Sequence, residues 1–301
     1  MRSVRWRSLL FAPGDRPDRI PKAFAAVPDG VIVDLEDGVH PSRLQWARER
    51  TVEALSAAGD GGVARLVRVH PAGHEALVAD LAAVVGPHLD AVVLPKVDGP
   101  ADVLELDLTL RDVEADAGLA VGSVGVVPLI ESCRGLRRVF ETARSSSRVL
   151  AMAFSSGEEG DFMADLGGRW TPDGAALAYP RSRFVCDVRA AGGIPALDGV
   201  CMHLDDPAVL QSECALARTL GFDGKIAIHP AQLAAVHRTF TPSEAEVEDA
   251  RRLLEALGAA AAEGVAAARY DGRMIDPANA RLARRVLEQA SGAPGTDAAG
   301  G

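Results

Sequence analysis

Eight short apolar runs separated by amphipathic stretches restrict most strongly how this chain can fold. The runs occupy residues 7–12, 30–35, 66–69, 91–95, 126–131, 150–154, 196–202 and 225–229. A continuous apolar run is typical of a strand buried on both faces, as in a parallel sheet. The intervening stretches, such as 43–58, 73–85, 133–144 and 206–220, have the pattern of surface helices. Eight strand–helix repeats predict a closed (β/α)8 TIM barrel.

A doubly wound open sheet is the main alternative for this alternation. It is disfavoured because no Gly-x-Gly-x-x-Gly sequence follows the first run. We therefore assign residues 1–235 to the barrel.

The alternation stops after the eighth run. Ser243 and Glu246 form a predicted capping box at the start of one helix, and Asp276-Pro277 begins another. Residues 236–290 are therefore predicted to be a helical extension, acting as a lid or as an arm on a neighbouring subunit. The Gly- and Ala-rich residues 291–301 are predicted to be a disordered tail.

Charge and cysteine content exclude several classes of protein. The net charge of −10 argues against a nucleic-acid or membrane-surface binder. The apolar run near the N-terminus is too short for a signal peptide, and no stretch is long enough to span a bilayer. The four cysteines contain no Cys-x-x-Cys pair, which predicts a reduced cytoplasmic protein.

Charged residues follow most of the predicted strands, and in a (β/α)8 barrel these strand ends share the face that carries the active site. Glu131 and Asp161 follow the fifth and sixth runs, where two carboxylates could hold a divalent cation. Each alone could equally be a helix cap or a solvated charge. Arg68 has the planar donors that bind a carboxylate, and Arg16 and Lys96 are candidates for phosphate contacts.

Several segments of the chain together resemble one known family. They are residues 7–16, 34–37, 67–69, 94–96, 129–131, 161–167, 221–230 and 271–276. They resemble, in the same order, the citrate lyase beta-subunit-like proteins of the HpcH/HpaI aldolase family, which include malyl-CoA and citramalyl-CoA lyases. The resemblance spans nearly the whole chain.

This resemblance implies a TIM barrel that uses Mg²⁺, with Mn²⁺ as a substitute, and that forms a homotrimer or hexamer. It implies a CoA thioester and a 2-oxo acid as small-molecule partners. The matching positions imply a role for each residue. Glu131 and Asp161 are the metal ligands, Arg68 binds the substrate carboxylate, and Arg16 and Lys96 are the basic residues on the CoA side. Glu36 and Asp37 are acids that orient water or the catalytic base, and Asp276 is the acid or base carried by the lid. The capping of the last helix is the alternative role for Asp276.

The chain departs from the family pattern at three places. The loop before Asp161 is longer, so that Glu158 or Glu159 is an alternative second metal ligand. His70 replaces a usual asparagine after Arg68, and residues 201–205 lack a usual aromatic residue. These differences leave the choice of substrate open.

The function expected from the resemblance is Mg²⁺-dependent carbon–carbon cleavage or formation on citryl-, malyl- or citramalyl-CoA-type thioesters. Three alternatives remain at this stage: a malyl-CoA-type thioesterase, a CoA-independent 2-oxo acid aldolase, and a non-catalytic CoA- or carrier-binding subunit.

Overall fold

The computed structural model describes residues 4–59 and 61–291. The chain divides into two compact units, Met1–His237 and Arg238–Gly301. The predicted boundary at residue 235 lies close to this division. The predicted disordered tail, 291–301, lies outside the described residues except for Ser291, which ends the last helix.

The first unit contains a closed barrel of eight parallel strands in sequence order. The strands are β1 (Ser8–Pro13), β2 (Gly30–Asp34), β3 (Ala64–Arg68), β4 (Ala91–Leu94), β5 (Gly125–Ile130), β6 (Met152–Phe154), β7 (Ala196–Asp198) and β8 (Gly224–Ala227). Pairing of Leu9 with Ile226 between β1 and β8 closes the barrel. The prediction of a TIM barrel is confirmed.

Helices connect the strands and continue into the second unit. They are α1 (Ile20–Ala25), α2 (Leu44–Ala57), α3 (Leu77–Val84), α4 (Pro100–Asp116), α5 (Cys133–Leu136), α6 (Val139–Ala143), α7 (Asp161–Leu166), α8 (Ala178–Ala190), α9 (Pro207–Leu220), α10 (Leu233–Phe240), α11 (Glu244–Ala262) and α12 (Pro277–Ser291). Within the described residues, none is both long and apolar enough to cross a membrane.

The single helix predicted over 133–144 is instead two short helices, α5 and α6. The chain leaves the helical region at Arg138, which has φ −119°. Gly135, a residue that weakens helices, lies in α5 because its backbone packs tightly on the carbonyl of Val97. A Cβ atom there would lie only 2.3 Å from that oxygen.

The barrel interior is filled by apolar side chains that the strands present inward. Leu9, Ile32, Leu66, Val127 and Ile226 belong to this cluster, and all are at most 2% exposed. Burial of each large aliphatic side chain contributes about 1.5–3 kcal/mol, so this core holds the strand ends in fixed positions.

Outside the barrel, a fully buried network of charges joins β7 and β8 to the helices around them. The Asp198 carboxylate accepts hydrogen bonds from Arg181 on α8 (3.0 and 3.2 Å) and from the Lys225 ammonium (2.8 Å). Lys225 also lies 3.0 Å from Glu213 on α9. Ser156, in the loop after β6, donates its hydroxyl proton to Asp198 at 2.8 Å. The network therefore fixes this loop as well as the two strands.

The second unit consists of α11, α12 and a hairpin between them, around an apolar cluster that includes Leu253, Ile275 and Ala283. Ser243 and Glu246 form the predicted capping box of α11. Between the two helices lies an antiparallel hairpin, β9 (Ala268–Tyr270) and β10 (Arg273–Ile275). Gly272, in its turn, has a positive φ of 74°.

We predict that Lys225→Met destabilises the protein by about 3–5 kcal/mol, because it removes the ammonium group that the buried carboxylates of Asp198 and Glu213 share. The free energy of unfolding from chemical denaturation measures the effect. Arg183→Ala is the control, since Arg183 pairs with Asp187 at the surface, where solvent screens the pair, and the loss of stability should be much smaller. Equal losses in the two variants would contradict a stabilising role for the buried network.

Candidate active site

A cavity of about 260 Å³ opens at the carboxyl ends of the barrel strands. Three charged residues line it: Asp34 from β2, Arg68 from β3 and Glu131 directly after β5. The remaining wall is uncharged. The cavity therefore lies where catalytic sites of this fold are found, and it brings together two residues, Arg68 and Glu131, that the sequence analysis selected.

Asp34 holds the Arg68 guanidinium by two parallel hydrogen bonds. Arg68 Nε donates to Asp34 Oδ1 at 2.6 Å and Nη2 donates to Oδ2 at 2.7 Å. The ring of Phe11 packs against the guanidinium, with the ring centroid 4.9 Å from Cζ. Burial opposes the charge, but pairing with Asp34 raises the pKa of Arg68, so Arg68 is a permanent cation with a fixed orientation.

Asp34 also shapes the loop that follows it. Its carboxylate accepts the backbone N–H groups of Glu36 (3.1 Å) and Gly38 (2.9 Å). A Cβ atom on Gly38 would lie 2.3 Å from Asp34 Oδ2, so this close approach requires glycine. Sequence reasoning placed Asp34 at the strand end but gave it no role. The available signal was an acid at the end of a buried strand, next in the sheet to the strand that ends in Arg68.

Glu36 lies between two cations. Its carboxylate is 3.2 Å from Arg68 Nη1 and 2.7 Å from Lys96 Nζ. Among the described residues neither Glu36 oxygen has a hydrogen bond of good geometry, although both are buried. Burial raises the pKa of Glu36, against the opposing effect of Arg68. This carboxylate is therefore placed to accept hydrogen bonds, or a proton, from a bound molecule.

Lys96 contacts acidic residues from two parts of the site, the loop after β2 and the end of β5. Its side chain lies 3.2 Å from the exposed Asp37 as well as close to Glu36, and its backbone N–H donates to Glu131 Oε2 at 2.8 Å. Although partial burial opposes it, pairing with Glu36 raises the pKa of Lys96. Lys96 has φ +53°, an uncommon conformation for a residue other than glycine. This conformation allows the amide and the ammonium to reach different carboxylates.

Glu131 is a buried carboxylate with too little positive charge around it. Burial raises its pKa to about 7, and the charges of Glu36 and Asp161 act in the same direction. A divalent cation would relieve this repulsion. The described residues contain no cluster of three or more His, Cys, Asp or Glu side chains arranged for a metal. Glu131 and Asp161 nevertheless fit Mg²⁺, which commonly takes one or two carboxylates and completes its shell with water and substrate.

The two alternative metal ligands in the longer loop have other surroundings. Glu158 Oε2 lies 2.7 Å from His203 Nε2, so this carboxylate is paired across to the loop after β7. Glu159 is exposed and has φ +60°. Asp161, the first residue of α7, is the acid whose charge reaches Glu131. These observations favour Asp161 as the second carboxylate.

Three other residues considered in the sequence analysis have contacts of their own. Arg16 is exposed and donates to Asp18 at 3.1 Å. His70 is held by Asp80, with Nδ1 2.6 Å from Oδ2. Asp276 is in the second unit, where its Oδ1 accepts the N–H of Ala278 at 2.8 Å. Asp276 therefore caps α12, which was its alternative role; this observation does not test a catalytic role.

Comparison with known proteins agrees with the fold. A family model described as HpcH/HpaI aldolase/citrate lyase matches residues 7–230, and one described as C–C bond lyase of the TIM-barrel fold matches residues 185–292. The citrate lyase subunit beta of Escherichia coli K12 is 35% identical over 284 residues, covering 94% of this chain and 93% of the relative.

Two further proteins are similar over almost their full length. The L-malyl-CoA/beta-methylmalyl-CoA lyase of Cereibacter sphaeroides is 32% identical, covering 94% of each chain. The structure of CitE from Mycobacterium tuberculosis with magnesium, acetoacetate and coenzyme A is 32% identical with a TM-score of 0.73, covering 96% of this chain and 99% of that one. These matches define a carbon–carbon lyase with a TIM-barrel fold. The chain belongs to the HpcH/HpaI aldolase/citrate lyase family.

We predict that Glu131→Gln stabilises the metal-free protein above pH 7. The folded pKa of about 7 lies above the ordinary value of 4.5, so the wild-type protein loses stability as pH rises between these values. The neutral glutamine avoids this loss, and the gap should reach roughly 3 kcal/mol at pH 8 and close near pH 4.5. Chemical denaturation with chelator present measures both proteins across this range.

The control for this prediction is Glu159→Gln, a change at an exposed carboxylate that should shift stability by less than about 1 kcal/mol. Added Mg²⁺ should stabilise the wild-type protein and not Glu131→Gln, because a ligand stabilises only the state that binds it. Parallel pH profiles for wild type and Glu131→Gln would show that Glu131 is not a buried, electrostatically strained carboxylate.

Proposed function

We propose that this protein is a Mg²⁺-dependent lyase or synthase that cleaves or forms a carbon–carbon bond in a CoA thioester of the citryl-, malyl- or citramalyl-CoA type. The products of cleavage are an acyl-CoA and a 2-oxo acid. The observation that carries the proposal is the buried Glu131, whose raised pKa calls for a cation, in the same cavity as the fixed guanidinium of Arg68. A similar lyase acts on malyl-CoA, and a similar structure holds magnesium and coenzyme A.

Arg68 binds the carboxylate of the 2-hydroxy or 2-oxo acid. The two hydrogen bonds to Asp34 use only two N–H groups of Arg68, on Nε and Nη2, and the ion pair with Glu36 involves Nη1 of Arg68. The remaining N–H groups on the two terminal nitrogens are free for a substrate carboxylate. Because Asp34 and Phe11 fix the guanidinium, little side-chain entropy is lost when the substrate binds.

Glu131 and Asp161 are the residues that hold Mg²⁺. The bound ion supplies Lewis-acid stabilisation of negative charge on the substrate oxygen. The N–H of Lys96 fixes one oxygen of Glu131 and leaves the other free to act as a ligand. Glu36, and more distantly Asp37, position water or the base through their contacts with Lys96.

In the cleavage direction, a base removes the hydroxyl proton of the substrate. The O–H electron pair forms the carbonyl of the 2-oxo acid, the carbon–carbon bond breaks, and its electron pair becomes the enolate of the acyl thioester. Proton transfer to that carbon completes the acyl-CoA. Asp276 is the proposed acid or base, supplied to the site of a neighbouring subunit in a trimer or hexamer.

The CoA moiety lies toward the outer rim in this proposal. Arg16 is exposed, and Lys96 is 40% exposed at its side chain. Both cations can therefore meet phosphates outside the cavity while the reacting atoms lie inside it.

The experiment that tests the function is product identification by mass spectrometry. Purified protein is given malyl-, β-methylmalyl-, citramalyl- and citryl-CoA, each with Mg²⁺ and with chelator. Acetyl-CoA or propionyl-CoA together with a 2-oxo acid, formed only with Mg²⁺, is the expected result. Free CoA with an intact hydroxy acid would instead show a thioesterase.

Absence of turnover on the whole panel would contradict the proposed activity and favour a CoA-independent aldolase or a non-catalytic subunit. Arg68→Lys is the matched variant for a productive substrate. It keeps the charge but loses the two-point contact with Asp34, so kcat/KM should fall at least about a hundredfold.

We predict that Asp276→Asn abolishes turnover and leaves fold and metal binding intact. Asparagine is as good a helix cap as aspartate, so the capping of α12 is retained. Activity, Mg²⁺ binding by calorimetry and the thermal midpoint are measured together. Asp276→Ala is the comparison that loses the cap as well, with a cost of about 1 kcal/mol. Wild-type rates in Asp276→Asn would remove this residue from the mechanism.

A further inference from the structure

The side chain of His203, in the loop after β7, contacts the chain on both sides of the short helix α7. Its Nε2 lies 2.7 Å from Oε2 of Glu158, in the longer loop before α7. Its ring packs against the ring of Trp170, which follows α7, with the two centroids 5.2 Å apart. Asp161 is the first residue of this helix. One imidazole therefore joins the segments that lead into and out of the helix that carries the second carboxylate of the site.

The longer loop is fixed to the barrel only at its beginning by the contacts of its first two residues. Ser155 donates its N–H to the carbonyl of Ile130 on β5 at 2.9 Å, and Ser156 donates its hydroxyl proton to Asp198 at 2.8 Å. A turn over Gly157–Gly160 follows, in which the last N–H donates to the first carbonyl at 3.2 Å. This hydrogen bond lies within the turn, so it shapes the turn without attaching it to the barrel.

Glu158 attaches this turn to the loop after β7, and that loop gives firm support. The buried Gln232 donates from Nε2 to the carbonyl of Cys201 at 2.9 Å, while its Oε1 accepts the N–H of Ile228 at 2.9 Å. His203 follows Cys201 by two residues. Because backbone and ring are both held, little side-chain entropy is lost when the imidazole meets the carboxylate of Glu158.

The contact between Glu158 and His203 is too exposed to contribute much to the stability of the whole protein. The two side chains are 34% and 37% exposed, so water competes with the pair. Its effect is local, because only two residues separate Glu158 from Asp161. A carboxylate that is already in position binds a cation more tightly, since the apparent affinity falls with the fraction of molecules in the competent conformation.

We infer that His203 is a positioning residue for the magnesium site and holds Asp161 in place through Glu158 and Trp170. The inference rests on the proposed function, because it takes Asp161 as a ligand of Mg²⁺. It also connects two departures of this chain from the family pattern. The longer loop supplies Glu158, and the segment that lacks the usual aromatic residue supplies His203. The additional length of the loop therefore brings the group that fastens the metal ligand.

Calorimetric titration of Mg²⁺ into the metal-free protein tests this inference without requiring turnover. His203→Ala removes both contacts and should weaken Mg²⁺ binding about tenfold, as loss of a group that orients a metal ligand commonly does. Glu158→Ala should weaken it by the same factor or less, because the contact with Trp170 remains. The double variant should be no weaker than His203→Ala, since both changes break one contact.

Two matched variants separate positioning from the loss of charge or of fold. His203→Gln keeps an N–H donor near the position of Nε2, so its Mg²⁺ affinity should stay within about threefold of wild type. Glu159→Ala removes an exposed carboxylate next to Glu158, and solvent screening should keep its affinity within about threefold as well. The thermal midpoint in chelator should be nearly equal in all variants, because the pair is exposed.

The possible results support or overturn the inference separately from the proposed activity. Equal Mg²⁺ affinity in wild type and His203→Ala overturns it, even if the protein is an active lyase. A much larger loss in Glu158→Ala than in His203→Ala also overturns it, because Glu158 would then bind the ion directly. The expected losses in a protein that cleaves no thioester of the panel support this inference and contradict the lyase activity.

Two further results overturn the inference. A thermal midpoint that falls in His203→Ala together with the affinity would show general damage to the fold. Absence of Mg²⁺ binding by the wild-type protein would contradict both this inference and the proposed function.

Discussion

The two-point contact between Asp34 and Arg68 is the interaction on which the charged half of the site depends. The same carboxylate that fixes Arg68 also accepts the amides of Glu36 and Gly38, so strand end, loop and guanidinium form one unit. Glu36 is thereby brought to Lys96, whose amide in turn fixes Glu131. Loss of the Asp34 contact would therefore affect groups on four strand ends.

The site holds more carboxylates than cations, and this imbalance explains its electrostatics. Three of its acids, Asp34, Glu36 and Glu131, are at most 8% exposed, whereas the cations paired with them within the described part of the chain are Arg68 and Lys96. Burial without full compensation is the reason that the pKa values of Glu36 and Glu131 are raised. A site of this kind is completed by a proton or a metal ion, and Glu131 lines the cavity from which either would bind.

The barrel and the positions of Arg68 and Glu131 were predictable because apolar runs mark strands and because parallel strands end on one face. The role of Asp34 was not, since an acid at a strand end does not reveal which cation it faces. Lys96 is a similar case. The hydrogen bond from its backbone N–H to Glu131 depends on a positive φ, and a lysine in the sequence does not indicate such a conformation. The break between α5 and α6 and the hairpin of the second unit were missed because local packing, not periodicity, sets them.

The buried network around Asp198 has a consequence for how such a site can change during evolution. It anchors β7 and β8 from outside the barrel through Arg181, Lys225 and Glu213, so these strands are held by these contacts as well as by their inward side chains. Substitutions facing the cavity from these strands can accumulate while the scaffold stays in place. Substitutions at the ends of β2, β3 and β5 are more restricted, because the charged residues there hold one another in place. Related enzymes with this architecture can thus diverge in what they accept while the bond chemistry is inherited unchanged.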